Sequence, residues 1–188
     1  VGEAMSVLPL IENFEKDEKI NKILITTITL SSAQILEKRV SKRLIHQFVP
    51  IDQPGAIKPF LTHWTPDAAI WVESELWPNL VSAAQQLGIL MILVQGRMSE
   101  RSFRRWCWLR RLVRPLLEGF SQVLVQTSRD ADRYKALGAL DPVVTGTLKY
   151  SAPPLEVDHF KLEEIRSALG DRPCWVAASA HPREFDIL

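Results

Sequence analysis

Short apolar runs alternate with amphipathic segments along the chain. The apolar runs predict strands of a parallel sheet buried on both faces, because most of them are apolar at nearly every position. These predicted strands are 23–27, 45–49, 68–72, 90–94 and 122–126, followed by two short ones at 143–144 and 175–178. The segments between them have helical spacing and predict helices at 4–15, 31–39, 54–64, 78–87 and 128–137. The alternation predicts an α/β fold with a Rossmann-like doubly wound parallel sheet.

Such a fold binds its ligands beyond the carboxyl ends of the strands. The residues that follow each strand are therefore the candidates for chemistry. They fall in the ranges 26–32, 52–55, 73–79, 95–102, 127–130 and 146–150.

A domain boundary is predicted near residue 150. The segment 151–158, SAPPLEVD, contains a double proline without clear periodicity, as is typical of a linker, and a helix is predicted at 161–169. We therefore expect an N-terminal α/β domain at 1–150, a linker and helix at 151–171, and the start of a second domain at 172–188. The first residue is Val1 and the last lies in a predicted helix, so we expect a fragment of a longer protein.

The composition is that of an ordinary soluble globular protein. The 188 residues are 46% hydrophobic and 24% charged, which excludes disorder over most of the length. The formal net charge of +1 does not indicate a polyanionic partner for the molecule as a whole. No run approaches the roughly 20 apolar residues that span a bilayer. Cys107 and Cys174 lie far apart in apolar surroundings, so we expect buried thiols in a reducing compartment.

Glu3 precedes a predicted helix. A carboxylate in this place is stabilised by the unpaired N–H groups and the dipole at the helix N-terminus, so capping is the plainer interpretation. The functional interpretation is a general base close to the proton that it removes.

The segment 73–79, ESELWPN, is the most unusual heptapeptide of the chain. Its carboxylates, Glu73 and Glu75, follow a predicted buried strand and would point to the same side if the segment is strand-like. Like charges so placed raise one pKa unless a cation is near, which favours a functional site. The alternative is structural: one glutamate caps the helix that Pro78 begins, and the other pairs with an arginine.

Lys149 follows the predicted strand at 143–144 and precedes the linker. A lysine at a cleft between domains stabilises negative charge on a leaving phosphate or a substrate carboxylate. The alternative is a solvated surface lysine, which is the common state of this residue type.

Segment 101–114, RSFRRWCWLRRLVR, combines arginine with aromatic residues and contains no acidic residue. Its arginines are Arg101, Arg104, Arg105, Arg110, Arg111 and Arg114. This composition suits an interfacial segment on an anionic membrane or a surface for a phosphorylated lipid. Nucleic acid is the competing ligand, and a solvated helix face is the structural alternative.

The residues alone predict no metal site. The histidines are scattered and lack ligand spacing. A glycine-rich phosphate loop of the Walker or dinucleotide type is absent from the sequence as well.

Short motifs follow one another in a specific order along nearly the whole chain. They are VGE at 1–3, TTITLSSA at 26–33, VPIDQPGAIKPFL at 49–61, ESELWPN at 73–79, GRMSERSF at 96–103, RPLL at 114–117, LVQTSRDADRYKALGA at 124–139, VTGTLKY at 144–150 and RPCWVAASAHPRE at 172–184. In this order they resemble the Kdo (3-deoxy-D-manno-octulosonic acid) transferases of lipopolysaccharide synthesis. ESELWPN and the combined order are the most specific features.

The resemblance implies the N-terminal half of a two-domain GT-B glycosyltransferase. Such an enzyme moves Kdo from CMP-Kdo to the glucosamine disaccharide of the lipid A precursor, lipid IVA, with no metal or cofactor. By matching position, the resemblance implies that Glu3 is the proton acceptor and that Glu73 and Lys149 stabilise the transition state. It implies a place on the cytoplasmic face of the inner membrane of a Gram-negative bacterium, contacted through segment 101–114, and no nucleic acid partner.

The chain departs from the family pattern at several positions. The family usually has Asn where this chain has Gln95, and Asn or Ser where it has Thr147. Ser151 stands in place of a common Asp, and AHPRE at 180–184 in place of a THEGEE-like segment. The three implied catalytic residues are intact.

Two other functions remain open. Another GT-B enzyme or a sugar-nucleotide epimerase would share the sheet without the substrate, and a nucleic-acid-binding protein would use segment 101–114. If Kdo transfer is correct, we expect the isolated chain to be inactive. The reason is that the strand before Val1 and nearly all of the nucleotide-binding domain would lie outside it.

Overall fold

A computed structural model describes residues 5–37, 41–74, 76–148, 157–178 and 181. The chain divides into two compact units, Val1–Ala152 and Pro153–Leu188. Most of the predicted linker at 151–158 lies outside the described residues. The functional division into an acceptor domain and the start of a second domain therefore stays a prediction.

Helices and strands alternate through the first unit, as the hydrophobic pattern predicted. Their order is α1 (Leu8–Lys16), β1 (Ile23–Thr27), α2 (Leu30–Glu37), β2 (Leu44–Phe48), α3 (Pro54–Trp64), β3 (Ala68–Val72), α4 (Pro78–Gln86), β4 (Leu90–Gly96), α5 (Glu100–Trp108), α6 (Arg110–Glu118), β5 (Gln122–Val125), α7 (Ser128–Leu137) and β6 (Val143–Val144). The described part of the second unit contains α8 (His159–Leu169). The bounds of α3 and α7 are those predicted, and the other predicted helices and the first six strands differ at most by a few residues at their ends.

The strand pairs are parallel, and the predicted α/β fold with a Rossmann-like doubly wound parallel sheet is confirmed. β1 pairs with β2, and a second ladder has the order β3-β4-β5-β6. Val72 at the end of β3 is in register with Val94 of β4. The carboxyl ends of these two strands therefore lie side by side, and we call this edge the rim.

Two hydrophobic clusters stabilise the first unit. The larger one buries side chains of β3, β4 and β5 together with those of α4, α6 and α7, and within it the rings of Trp71 and Phe120 meet edge to face at 5.4 Å between centroids. Such a pair adds about 0.5–1.5 kcal/mol to the effect of burial alone. The smaller cluster joins α1, α2 and β2 through Leu8, Leu36 and Leu44. The strands that end at the rim are therefore held in place by a well-packed hydrophobic cluster.

The expectation that the strands are buried on both faces is wrong for the outer ones. Met91 and Leu93 of β4 are fully buried, whereas Phe48 of β2 and Val144 of β6 are each 51% exposed. A parallel sheet is buried on both faces only where helices cover both of them, and the described helices leave these side chains uncovered.

The predicted strand at 175–178 is wrong over the residues that the structure describes. Residues 172–177 have no regular structure, and Trp175 and Val176 are exposed. A strand needs a neighbour for its backbone hydrogen bonds, and the described part of the second unit contains no strand to supply them.

The expected burial of the thiols is also wrong, because Cys107 and Cys174 are both exposed. On α5 the inward positions belong to Phe103 and Trp106, which pack against the larger cluster and leave Cys107 outside. Cys174 lies in the irregular segment 172–177.

Candidate active site

Glu73 follows β3 directly and lies at the rim, as predicted. Its backbone N–H donates to the carbonyl oxygen of Val94 at 2.9 Å, and its φ of +56° is in the left-handed region. Few side chains other than Gly or Asn adopt this conformation without a cost, and such strain concentrates at functional sites. The half-buried Glu73 is therefore presented by a specific turn rather than by an extended strand.

The prediction that Glu73 and Glu75 point to the same side assumed a strand-like segment, and this assumption is wrong. That geometry requires an extended backbone, and Glu73 and Ser74 form a turn. The Ser74 hydroxyl donates to the carbonyl oxygen of Arg97, which ties this turn to the loop after β4. Glu75 lies outside the described residues.

The last residues of ESELWPN begin α4. The carboxylate of Asp52 accepts from the backbone N–H groups of Leu80 at 2.9 Å and Asn79 at 3.2 Å. The Asn79 side-chain amide in turn donates to the carbonyl oxygen of Asp52 at 2.9 Å. Pro78 occupies the first turn, where its missing N–H is not needed. Asp52 thus supplies the negative charge that a helix N-terminus favours, and no glutamate of the motif has to do so.

The loop after β4 is held by α7. The Asp130 carboxylate, which is buried, accepts from the Met98 N–H at 2.9 Å and from the Thr127 hydroxyl at 2.6 Å. The Arg133 guanidinium donates to the Met98 carbonyl oxygen and to the Glu100 carboxylate. The hydrogen bond from Arg104, and to a lesser extent the one from Arg133, lowers the pKa of Glu100, so this carboxylate stays ionised. These contacts give the motifs GRMSERSF at 96–103 and LVQTSRDADRYKALGA at 124–139 a shared structural role.

Gln95 is a buried polar residue that connects distant segments, and nothing in the sequence predicted these contacts. It is 2% exposed, with φ of +54°. Its amide nitrogen donates to the Ser6 hydroxyl at 2.9 Å, and its amide oxygen accepts from the Thr147 hydroxyl at 3.1 Å and the Leu148 N–H at 3.2 Å. A buried side chain that hydrogen-bonds to distant segments leaves no regular spacing in the sequence. The one sequence feature that pointed to these residues was the departure from the family pattern at Gln95 and Thr147.

Of the three predicted catalytic residues, the structure describes Glu73. Glu3 and Lys149 lie outside the described residues, so their placement stays a prediction. The nearest described positions along the chain are Met5 and Leu148. Among the residues that the structure describes, no cluster of three or more His, Cys, Asp or Glu side chains has the arrangement of a metal site.

Segment 101–114 lies in α5 and α6, which are not among the predicted helices. Ser99 caps α5 by accepting from the Ser102 N–H. All six arginines are exposed, and so are Trp108 at 86% and Leu112 at 69%. Among the described residues, ion pairs join Arg104 to Glu100 and Arg114 to Glu118. The exposed cations and apolar side chains of segment 101–114 are called the Arg/Trp surface below.

The first unit defines the class of the protein. Its parallel α/β sheet, with the candidate carboxylate at the strand ends, has the Rossmann-like fold of one half of a GT-B protein. The crystal structure of UDP-GlcNAc 2-epimerase from Neisseria meningitidis bound to UDP-GlcNAc has the same fold, with a TM-score of 0.60 and 16% identity over 89% of this chain and 51% of that chain.

The chain belongs to the Kdo transferase family. The family model for 3-deoxy-D-manno-octulosonic-acid transferase (kdotransferase) matches residues 1–152. The 3-deoxy-D-manno-octulosonic acid transferase of Rickettsia felis is 36% identical over 100% of this chain and 40% of the relative. A probable mitochondrial 3-deoxy-D-manno-octulosonic acid transferase of Arabidopsis thaliana is 36% identical over 100% of this chain and 44% of the relative. The chain thus spans less than half the length of these relatives, and the resemblance found in the motifs is confirmed.

Proposed function

We propose that this protein provides the acceptor side of a transferase that moves Kdo from CMP-Kdo to the glucosamine disaccharide of lipid IVA in lipopolysaccharide synthesis. The observation that carries the proposal is the turn of Glu73. In a chain of the Kdo transferase family, a carboxylate is held in a left-handed conformation at the carboxyl end of β3. Ligands of this fold class bind at that edge.

The proposed reaction is a direct displacement at the anomeric carbon of Kdo. Glu3 accepts the proton of the acceptor hydroxyl, whose oxygen forms the new bond as the bond to the CMP phosphate breaks. The Glu73 carboxylate stabilises the positive charge that develops at the anomeric centre. Lys149 stabilises the departing phosphate or the carboxylate of the donor sugar. The step needs no metal and no cofactor in this proposal.

A hybrid enzyme tests the reaction. In it, this chain replaces the matched 40% of the Rickettsia felis transferase. With CMP-Kdo and lipid IVA, we expect product lipid whose mass increases by one or more Kdo units. With UDP-GlcNAc as donor we expect none. Transfer from UDP-GlcNAc, and none from CMP-Kdo, would show that the protein is a different GT-B enzyme.

Substitutions in the hybrid test each residue role. Glu3→Gln should lower kcat by about 10²–10⁴, the usual contribution of a positioned base. Glu73→Gln and Lys149→Ala should each lower it by about 10²–10³. Glu18→Gln and Lys58→Ala are matched controls, because both residues are exposed, and they should leave kcat unchanged. Full activity of Glu3→Gln with an unaltered melting temperature would remove Glu3 from the role of base.

The chain by itself is proposed to bind the acceptor without transferring sugar, because the relatives that carry the activity are more than twice as long. Titration with lipid IVA in detergent, followed by tryptophan fluorescence, would measure binding. Kdo transfer by residues 1–188 alone would contradict this division of labour.

The Arg/Trp surface is proposed to contact the anionic cytoplasmic face of the inner membrane and to seat the phosphorylated acceptor lipid there. The support is its mixture of exposed guanidinium groups with Trp108 and Leu112, since an interfacial helix combines cations with apolar side chains. No helix among the described residues is long and apolar enough to cross a membrane.

A further inference from the structure

Gln95 lies in a bulge of the central strand. Between β4 and β5 the register shifts: Leu93 pairs with Val123, and Gly96 pairs with Val125. Two residues of β4 therefore face one residue of β5. A bulge of this kind turns a side chain away from the direction that regular pleating would give it. In this chain the turned side chain is Gln95, whose left-handed backbone is strained, so its surroundings must hold it in place.

The hydrogen bonds of Gln95 join segments that are far apart in sequence. Its side chain connects to Ser6, 89 positions earlier, and to Thr147, 52 positions later. The Gln126 side-chain amide donates to the Gln95 carbonyl oxygen at 3.3 Å. The side-chain amide of Gln95 thus links the N-terminal segment to the segment after β6, and its backbone carbonyl adds a link to the end of β5.

Packing and hydrogen bonds together define this junction, because Leu148 also packs against the smaller hydrophobic cluster that contains Val7 and Leu8. Gln95 lines a cavity of about 180 Å³ together with Leu10, Leu124 and the residues from Thr145 to Leu148. Of these contacts the hydrogen bonds have the narrower range of distance and angle, so they set the separation of the two segments most closely. An amide group is suited to the task, because it donates at one end and accepts two bonds at the other.

The two linked segments continue directly into residues that the proposed function needs. In the sequence, Leu148 directly precedes Lys149, and Ser6 follows Glu3 by three residues. Resting on the proposed function, we propose that Gln95 is a positioning residue: it sets the separation between the chain segment that carries the base Glu3 and the segment that carries the cation Lys149.

The test uses Gln95→Met in the hybrid enzyme, because methionine has similar length and no hydrogen-bonding amide. We expect kcat to fall at least tenfold while the KM for CMP-Kdo changes less than twofold. In the same protein, hydrogen exchange of the Leu148 amide should become at least tenfold faster, because that N–H loses its acceptor. Gln34→Met, at an exposed position of α2, is the matched control and should change neither quantity.

Two smaller changes keep the test decisive if methionine prevents folding. Thr147→Val removes one of the bonds to Gln95 with almost no change of shape, and we expect a fall in kcat of about threefold, equivalent to about 0.6 kcal/mol. Gln95→Asn keeps the amide on a side chain that is one methylene shorter, and kcat should again fall while the melting temperature shows a folded protein.

The outcomes separate this proposal from the one on which it rests. If Gln95→Met accelerates exchange at Leu148 but leaves kcat within twofold of the parent, the positioning role is wrong and Kdo transfer stands. If the parent hybrid binds CMP-Kdo but transfers no sugar, the proposed function fails, and the role assigned to Gln95 fails with it. If the KM for CMP-Kdo rises in proportion to the loss of kcat, the substitution damages the active site as a whole, and the positioning role of Gln95 is wrong.

Discussion

The hydroxyl of Tyr134 donates a long hydrogen bond, 3.4 Å, to the carbonyl oxygen of Glu73. Tyr134 belongs to α7 and is fully buried beneath the rim. Burial raises the pKa of its phenol well above the ordinary value of 10, the nearby Asp130 charge raises it further, and a hydrogen bond with Ser74 opposes the shift. The phenol therefore keeps its proton and remains a donor to the turn that presents Glu73.

Tyr134→Phe should weaken this turn with little change in packing. Loss of the hydrogen bonds that the phenol makes to the Glu73 carbonyl and with Ser74 should lower the free energy of unfolding by about 1–2 kcal/mol. Urea denaturation followed by tryptophan fluorescence measures this change. In the hybrid enzyme kcat should fall several-fold. An unchanged kcat beside a reduced stability would mean that the bond supports the fold without orienting Glu73.

The raised pKa of Tyr134 also predicts how stability depends on alkaline pH. Below about pH 10 the phenol is protonated in both the folded and unfolded chain, so its contribution is complete. Above that, the unfolded chain binds fewer protons than the folded one, and the free energy of unfolding decreases by up to about 1.4 kcal/mol per pH unit. Tyr134→Phe lacks this contribution. Its denaturation midpoint should therefore fall less steeply than that of the parent between about pH 9 and pH 11.

Gly96→Ala should destabilise the protein where the rim meets α7. A Cβ atom at Gly96 would lie 3.0 Å from Val125 Cγ1 and 3.3 Å from Tyr134 Cε2, closer than packed side chains normally allow. Overpacking of this kind costs about 1–3 kcal/mol, which thermal denaturation would detect. Gly55→Ala is the control. Its Cβ meets nothing within 4 Å in helix α3, so it should be neutral or stabilising by up to about 1 kcal/mol.

Asp52→Ala should remove the anion that caps α4. The expected loss is about 1 kcal/mol of the free energy of unfolding, the usual effect of replacing a helix cap by alanine. Asp67→Ala removes an exposed carboxylate in the same unit that caps no helix, and it should have no measurable effect. Equal effects of the two substitutions would mean that net charge, rather than capping, is responsible.

Vesicle flotation tests the Arg/Trp surface. The chain should bind vesicles that contain phosphatidylglycerol more tightly than vesicles of phosphatidylcholine, and added salt should release it. The double substitution Arg110→Ala/Arg111→Ala should weaken binding about thirtyfold, at about 1 kcal/mol for each cation near the surface. Trp108→Ser should weaken binding at all salt concentrations.

Arg129→Ala is the matched control for these substitutions, because Arg129 is exposed on α7 outside the Arg/Trp surface. It should weaken vesicle binding much less than the loss of Arg110 and Arg111. Binding of duplex DNA to the same chain tests the competing explanation. If DNA binds the chain as tightly as the anionic vesicles at equal salt, and the same substitutions abolish both, nucleic acid becomes the better explanation of the surface.

Local signals determined much of the secondary structure. Helix α7 has its predicted bounds because Thr127 caps its N-terminus and Gly138, at φ of +116°, ends it in the left-handed conformation that glycine adopts readily. Helices α5 and α6 were not predicted, although their inward side chains do recur at helical spacing, among them Phe103, Val113 and Leu117. The strand predicted at 175–178 failed because apolar composition does not supply a neighbour.

The order of strands and helices also determined that Glu73 stands at the rim, since a residue that follows a parallel strand lies at its carboxyl edge. Only the tertiary structure decided how Glu73 is held there, through Tyr134, which lies 61 positions later in the chain. The same is true of Gln95, whose bulge and hydrogen bonds join Ser6 to Thr147. Periodicity reports which residues turn inward, but contacts between distant residues depend on how the elements pack, and no local pattern encodes them.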